Sequence, residues 1–373
     1  VDYKKLKKSI SDHKNKMYHK VMVMQDNQNR KTHILNAGLY NQKKAEVQAD
    51  TPSTLPPMPK GVEKNRLSLA QWIVSKDNPL TARVIINRLW AQVFGEGLTK
   101  TTENLGVQGE RPTHPELLDW LALEFMNSGW NVKHMMKLMV TSATYKQAAT
   151  FNKEKLDMDP DNRFLARGSR YRLPSWMIRD QALASSGLLN AKMGGAGVRP
   201  YQPSGVWAEM TFGKIKYQED QGDKLYRRSI YTFWRRIVAP TMFFDIANRQ
   251  ICEVESKLTN TPLHALVTMN DITYIEAGRG LAKRAISEKS LDEKINHMFM
   301  HVLGRPAKTE EMKILKDRYQ AFLGQYQNSP ELAAEYLSVG ELKMNPEHNA
   351  IELAALSSIG LLVLNLDESL TRE

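Results

Sequence analysis

Residues 350–366 read AIELAALSSIGLLVLNL. After Glu352 no charged side chain interrupts the run until Asp367. Alanine and leucine are strong helix formers, and a helix this apolar has to be buried. The chain has no run of eighteen or more apolar residues, so nothing in it is long enough to span a bilayer as a helix. The stretch therefore predicts a helix packed against helices earlier in the chain.

Working outward, the flanking sequence is helical as well. DEKINHMFMHVLGRP (292–306) is a helix closed by Gly304 and Pro306, and Thr309 with Glu310 and Glu311 opens the next. HALVTMND (264–271) enters one helix, which ITYIEAGRGLAKRAIS (272–287) continues or restarts. Farther upstream, Asn78-Pro79 reads as an N-cap with proline in the first turn. Ile85, Ile86, Leu89, Trp90 and Val93 then recur at helical spacing. Thr113 and Glu116 have capping-box spacing ahead of Leu117, Leu118, Leu121 and Phe125.

Two regions depart from this pattern. VMVMQ (21–25) and THIL (32–35), split by a polar turn, read as a hairpin. TPSTLPPMPKG (51–61) reads as an extended linker, because proline removes donors and disfavours helix. In the middle, MGGAGVRPYQPSG (193–205) predicts an irregular loop. YRRSIYTFWRR (226–236) has strand propensity, with Ser229, Tyr231 and Phe233 on one face and Ile230, Thr232 and Trp234 on the other. The expected fold is mainly α, a multi-helix domain with a small β element around 21–35 and 205–240 and long irregular loops. Residues 1–62 would form a basic arm, hairpin and linker. Residues 63–373 would form the helical domain, with a loop/β insertion at about 193–250.

The composition is that of a globular protein, with 42% hydrophobic and 25% charged residues. Its net charge of +11 is unevenly spread. Residues 1–64 hold 13 Lys/Arg against 6 Asp/Glu, a net +7, and the other 309 residues hold +4. The basic arm 1–20 could meet an acidic partner protein or remain solvated. The rest carries too little charge, and no recognised motif, for nucleic acid to be expected. Cys252 is the single cysteine, which leaves no intrachain disulfide, no CxxC and no CxxCH haem attachment, so no cofactor is expected in this chain.

No GxSxG, GxGxxG, P-loop or HExxH motif occurs. Candidate chemistry comes from scattered groups. His297 and His301 are four apart on a helix, the spacing of two metal ligands, although no third ligand is evident. His114, Asp180 and Asp245 are candidate acid–base groups. Asn87, Arg179, Arg227, Arg228, Tyr231, Trp234 and Arg249 are candidate binding groups. Arginine forks meet carboxylates bidentately, so these could hold a sulfated or carboxylated sugar against aromatic rings. The same groups could instead form buried Arg–Asp staples.

Several stretches also resemble one family. These are NPLTARVIINRLWAQVFGEGL (78–98), PTHPELLDWLALEFMNSGW (112–130), LPSWMIRDQALASSGLL (173–189), LYRRSIYTFWRRIVAPTMFFDIANRQIC (225–252), TNTPLHALVTMND (259–271) and LLVLNLDESLTRE (361–373). Together they resemble the PSD1 (DUF1553) family. The resemblance implies no established reaction. It implies an exported, extracytoplasmic module that commonly follows a DUF1549 domain and a planctomycete-type cytochrome c module, in settings rich in polysaccharide-degrading enzymes. Three functions are compatible with it: binding or assembly on acidic polysaccharide, hydrolase or lyase chemistry using Asp, His and Arg, and a structural role in a cytochrome-containing surface complex.

Overall fold

The structure is a computed structural model. It describes residues 2–18, 21–25, 31–150, 152–235, 238–246, 253–254, 258–343 and 345–372. In chain order the elements are α1 (Tyr3–Met17), β1 (Thr32–Asn36), β2 (Leu39–Val47), α2 (Arg66–Ile73), α3 (Thr81–Phe94), α4 (Pro115–Asn127), α5 (Val132–Thr141) and α6 (Lys153–Met158). A short strand, β3 (Tyr171–Arg172), precedes α7 (Ser175–Ser185) and α8 (Val206–Met210). The remainder is α9 (Pro262–Asn270), α10 (Ile272–Ala285), α11 (Leu291–Val302), α12 (Thr309–Asn328), α13 (Pro330–Ser338), α14 (Ala350–Leu364), α15 (Asp367–Leu370) and β4 (Thr371–Arg372). The protein is mainly α with small β elements. The chain divides into two compact units, residues 1–86 with 119–131 and residues 87–118 with 132–373.

In the larger unit α14 is the hub. It packs on α10, α11, α12 and α13, and its residues from Leu353 to Leu361 are all buried. The approach of α10 depends on two glycines. A Cβ added to Gly360 would stand 2.6 Å from the Gly278 carbonyl, and one on Gly278 would stand 2.9 Å from the Ser357 carbonyl. Backbone meets backbone there, with Leu281 against Gly360 and Leu361 against Gly278, inside a buried cluster that also holds Leu356, Ile359 and Phe299. The chain breaks between α9 and α10 at Asp271, whose extended backbone and side chain, accepting the Thr273 amide at 2.9 Å, cap a new helix. The helix at 272 thus restarts rather than continues.

In the smaller unit the proline-rich linker is tied down where the Trp72 indole donates to the Pro56 carbonyl at 2.7 Å. Asn78 caps α3 through the Leu80 amide at 3.0 Å.

Two strand expectations need correction. The hairpin pairs β1 with β2, not 21–25 with 32–35. Its turn is Ala37-Gly38, both at positive φ (46° and 77°), the backbone that a two-residue hairpin demands. Residues 21–25 have no regular structure. The expected β element at 205–240 is not a sheet among the described residues. It is made of α8, 3-10 turns at 222–224 and 229–231, and isolated bridges such as Val198 to Thr232. The turn at 229–231 also breaks the expected alternation: Ile230 is exposed, whereas Thr232 is buried.

Candidate functional site

Helix α7 starts straight after Pro174, which offers no capping side chain. The cap comes from seventy residues away. Asp245 accepts the Ser175 amide at 3.1 Å and the Ser175 hydroxyl through a short contact. The preceding ring, Phe244, stacks on His264 of α9 at 4.0 Å, which holds the 244–245 segment in place. A carboxylate at the positive end of a helix is well matched to its dipole. Asp245 is therefore engaged in anchoring α7.

One turn along, α7 carries Arg179 and Asp180. Arg179 is fully buried, and its guanidinium donates to the carbonyls of Leu225 (2.8 Å) and Arg227 (2.9 Å) and to the Ser229 hydroxyl (3.2 Å). Asp180 Oδ1 accepts the Ser229 amide at 2.8 Å and hydroxyl at 2.7 Å, and lies 3.4 Å from Arg179. Burial pushes the Arg179 pKa down, opposed first by the nearby Asp180 charge. Arg227 is itself buried. It donates to the carbonyls of Lys192 (2.8 Å), Gly194 (2.7 Å) and Ala196 (3.2 Å), and lies 3.7 Å over the Tyr231 ring. The Tyr231 hydroxyl accepts the Gly194 amide at 2.7 Å, and Arg228 reaches the Met193 sulfur at 3.4 Å. The glycine-rich loop 192–196 is thus folded around the Arg227 side chain. Its carbonyls accept from the two terminal nitrogens of the guanidinium, while the buried Nε has no partner among the described residues.

Arg172, Tyr274 and Asp271 are close enough to feel the charges of this network. Tyr274 is fully buried with no hydrogen-bond partner for its hydroxyl among the described residues. Burial raises its pKa, as do the charges of Asp271, Asp245 and Asp180, while Arg179 lowers it. Arg172 is shifted down by burial, against the pull of Asp245 and Asp367.

The second half of the same stretch is differently placed. Phe233 donates its amide to the Val198 carbonyl at 2.7 Å and turns its ring outward. It stacks on Trp207 at 5.9 Å, Trp207 stacks on Tyr217 at 5.3 Å, and the Arg199 guanidinium lies 5.0 Å above the Phe233 ring. The Trp207 indole is fixed by Gln202 at 2.6 Å and the Tyr217 hydroxyl by the Pro200 carbonyl at 2.7 Å. These rings, with Arg199, Lys216 and Arg235, line a cleft of about 320 Å³. It combines a rigid aromatic wall with three cations, the two elements that hold an acidic sugar. Trp234 is half-buried and has interactions of its own.

The other candidates do not join either group. Asn87 is buried, and its side chain clamps residue 99 from both sides: it donates to the Thr99 carbonyl and accepts the Thr99 amide, each at 2.9 Å. His114 is half-buried, bonded to the Thr113 hydroxyl at 2.9 Å and edge-on to Phe164 at 6.1 Å. His297 and His301 do face each other, with ring centroids 4.5 Å apart. However, His297 is paired with Glu288 at 3.0 Å and His301 lies 3.1 Å from Arg284. Burial and then the Arg284 charge push His301 below the usual histidine range. Among the described residues no group of three or more His, Cys, Asp and Glu is placed to hold a metal. Arg249 and Cys252 lie outside the described residues.

Sequence reasoning missed one buried charge pair, Glu276 and Arg279 on α10. Glu276 Oε1 accepts the Leu342 amide at 2.7 Å and the Tyr226 hydroxyl at 3.1 Å, with Arg279 at 3.4 Å. Arg279 donates to the carbonyls of Leu337 (2.5 Å) and Val339 (2.6 Å). The pair pins the turn after α13, where Gly340 sits at φ 77° and any Cβ would collide with the Glu276 carboxyl group. The available signal was Gly278 and Gly280 flanking Arg279, since mid-helix glycines cost stability unless close packing needs them.

The family model PSD1, described as a protein of unknown function (DUF1553), matches residues 65–319. No curated protein and no solved structure matches the chain.

Proposed function

The chain belongs to the PSD1 (DUF1553) family, and on that premise we propose that it is a binding module for acidic polysaccharide that works outside the cytoplasm. The carrying observation is the cleft of Arg199, Lys216 and Arg235 along the Trp207–Tyr217–Phe233 wall. Trp207 is buried and braces the Phe233 and Tyr217 rings, whose exposed parts give a sugar an apolar contact, and cations beside them select carboxylate or sulfate substituents over neutral chains. The cleft, and not the Arg179–Arg227 network, is the binding surface in this reading, because both guanidiniums of that network are buried and their terminal nitrogens already donate to backbone carbonyls.

Affinity electrophoresis through gels containing a uronic polysaccharide, a sulfated polysaccharide or neutral dextran tests this reading. Retardation is expected in the two acidic gels alone, weakening as salt is raised. Arg199→Ala combined with Arg235→Ala should abolish it, and Phe233→Ala should weaken it. Equal mobility in all three gels removes the glycan reading.

A further inference from the structure

Helix α1 contributes nothing to a core. Every one of its residues from Tyr3 to Met17 is exposed. Yet it is not polar all round. Tyr3, Leu6, Ile10 and Met17 recur three, four and seven residues apart, which sets them on one face. They remain 49–73% exposed. Around them the helix carries Lys4, Lys5, Lys7, Lys8, Lys14 and Lys16, with Asp12 its one acid. Beyond it, Val21, Met22, Val23 and Met24 form a continuous apolar run that is 75–103% exposed.

We propose that α1 and residues 21–24 form a peripheral anchor that lies in the headgroup plane of an anionic lipid surface. Two features select a lipid surface over a protein groove. The cations of α1 are all lysines, which act as diffuse point charges on long apolar stems and do not make the bidentate contacts of arginine. The apolar face is a narrow stripe continued by a short run without regular structure, which suits shallow insertion into an interface with no fixed shape. No helix of the described residues is long and apolar enough to cross a membrane, so the association would be on the surface only. The inference does not depend on the glycan cleft.

The test is flotation of the whole chain with phosphatidylcholine vesicles, with and without a minority of phosphatidylserine, at low and raised NaCl. Binding is expected only to the phosphatidylserine vesicles, and raised salt should release it. Each lysine changed to glutamine should lower partitioning about fivefold, in line with the contribution of one basic residue near an anionic surface. Leu6→Asp with Ile10→Asp should abolish binding. Because no α1 side chain is buried, the thermal unfolding of these variants should match the parent, which separates lost binding from lost folding. Failure of the parent chain to float, equal flotation with pure phosphatidylcholine, or full retention by the Leu6/Ile10 variant would each overturn the anchor. So would capture of a soluble acidic protein by α1 without any vesicle binding.

Discussion

Arg227 and Arg235 belong to one eleven-residue stretch and have opposite environments. Arg227 is buried, with the 192–196 loop wrapped around its guanidinium and Tyr231 stacked beneath it. Arg235 is exposed and borders the Trp207–Phe233 cleft. The 3-10 turn at 229–231 lies between them: Tyr231 still belongs to the Arg227 network and Thr232 is still buried, and the chain reaches the surface at Phe233 and Arg235. The difference shows that an arginine-and-aromatic motif has no single meaning. Where carbonyls converge, the cation organises backbone; where rings line a cleft, it is available to a ligand.

The largest expected effect comes from breaking the dry side. Arg179→Ala would leave the Leu225 and Arg227 carbonyls without their donor and remove the cation beside Asp180. Losing one partner of a buried charge network typically costs about 3–5 kcal/mol. Urea unfolding should show that loss, and the variant should bind no better or worse per folded molecule than the parent. Arg227→Lys should come next, at roughly 1–3 kcal/mol, the cost of leaving buried polar groups unsatisfied. An ammonium cannot reproduce the planar fork that spans the Lys192, Gly194 and Ala196 carbonyls. A lysine variant as stable as the parent would mean that charge alone, not the fork, organises the loop.

The contrast was only partly legible in the sequence. The apolar run 353–364 identified α14, because a helix without a polar face has only one place to go. Arg179 and Asp180 were legible as a possible buried Arg–Asp staple, one of the two roles open to them beside ligand binding. What it met could not be read: Ser229 and the 192–196 carbonyls come from loops, and loop carbonyls leave no trace in residue type. Asp245 was visible as an acid but not as the cap of α7, because a cap supplied over seventy residues has no local pattern. The Glu276–Arg279 pair looks like an ordinary surface ion pair at helical spacing. The glycines around Arg279 and at 340 mark its burial only once the neighbouring backbone is known.

Carboxylates repeat the comparison and are read by pH. Burial holds Glu276 above the usual carboxylate range, despite the Leu342 amide, Tyr226 and Arg279. Its contribution to stability is present below the unfolded value near 4.5 and is lost as pH rises through the raised folded value. Tyr201 and Tyr226 also face it. Glu276→Gln should therefore become more stable relative to the parent as pH increases. Glu311 behaves in reverse. Hydrogen bonds from Arg305, which also holds Glu368, pull it down to about 2. Its contribution is present above 4.5 and is lost as pH falls toward about 2, so Arg305→Ala should be less stable than the parent above 4.5, by a deficit that shrinks as pH falls toward about 2. Urea midpoints measured across pH for the three chains should give slopes of opposite sign; parallel curves would refute both assignments.

The smallest expected change in stability is at Arg235. It is exposed, and it pairs with Val238 through backbone groups that a side-chain substitution keeps. Arg235→Ala should move the unfolding free energy by no more than about 0.5 kcal/mol, the range of surface substitutions away from buried features. Retardation in acidic-polysaccharide gels should nevertheless fall, because a cation is lost from the aromatic wall. Arg227→Lys should show the inverse pattern, with stability reduced and retardation of the folded fraction kept. Measured side by side, the two variants test whether one stretch of sequence divides between holding the fold and meeting a ligand. If Arg235→Ala unfolds as easily as Arg227→Lys, the cleft is part of the same dry network, and its cations are structural.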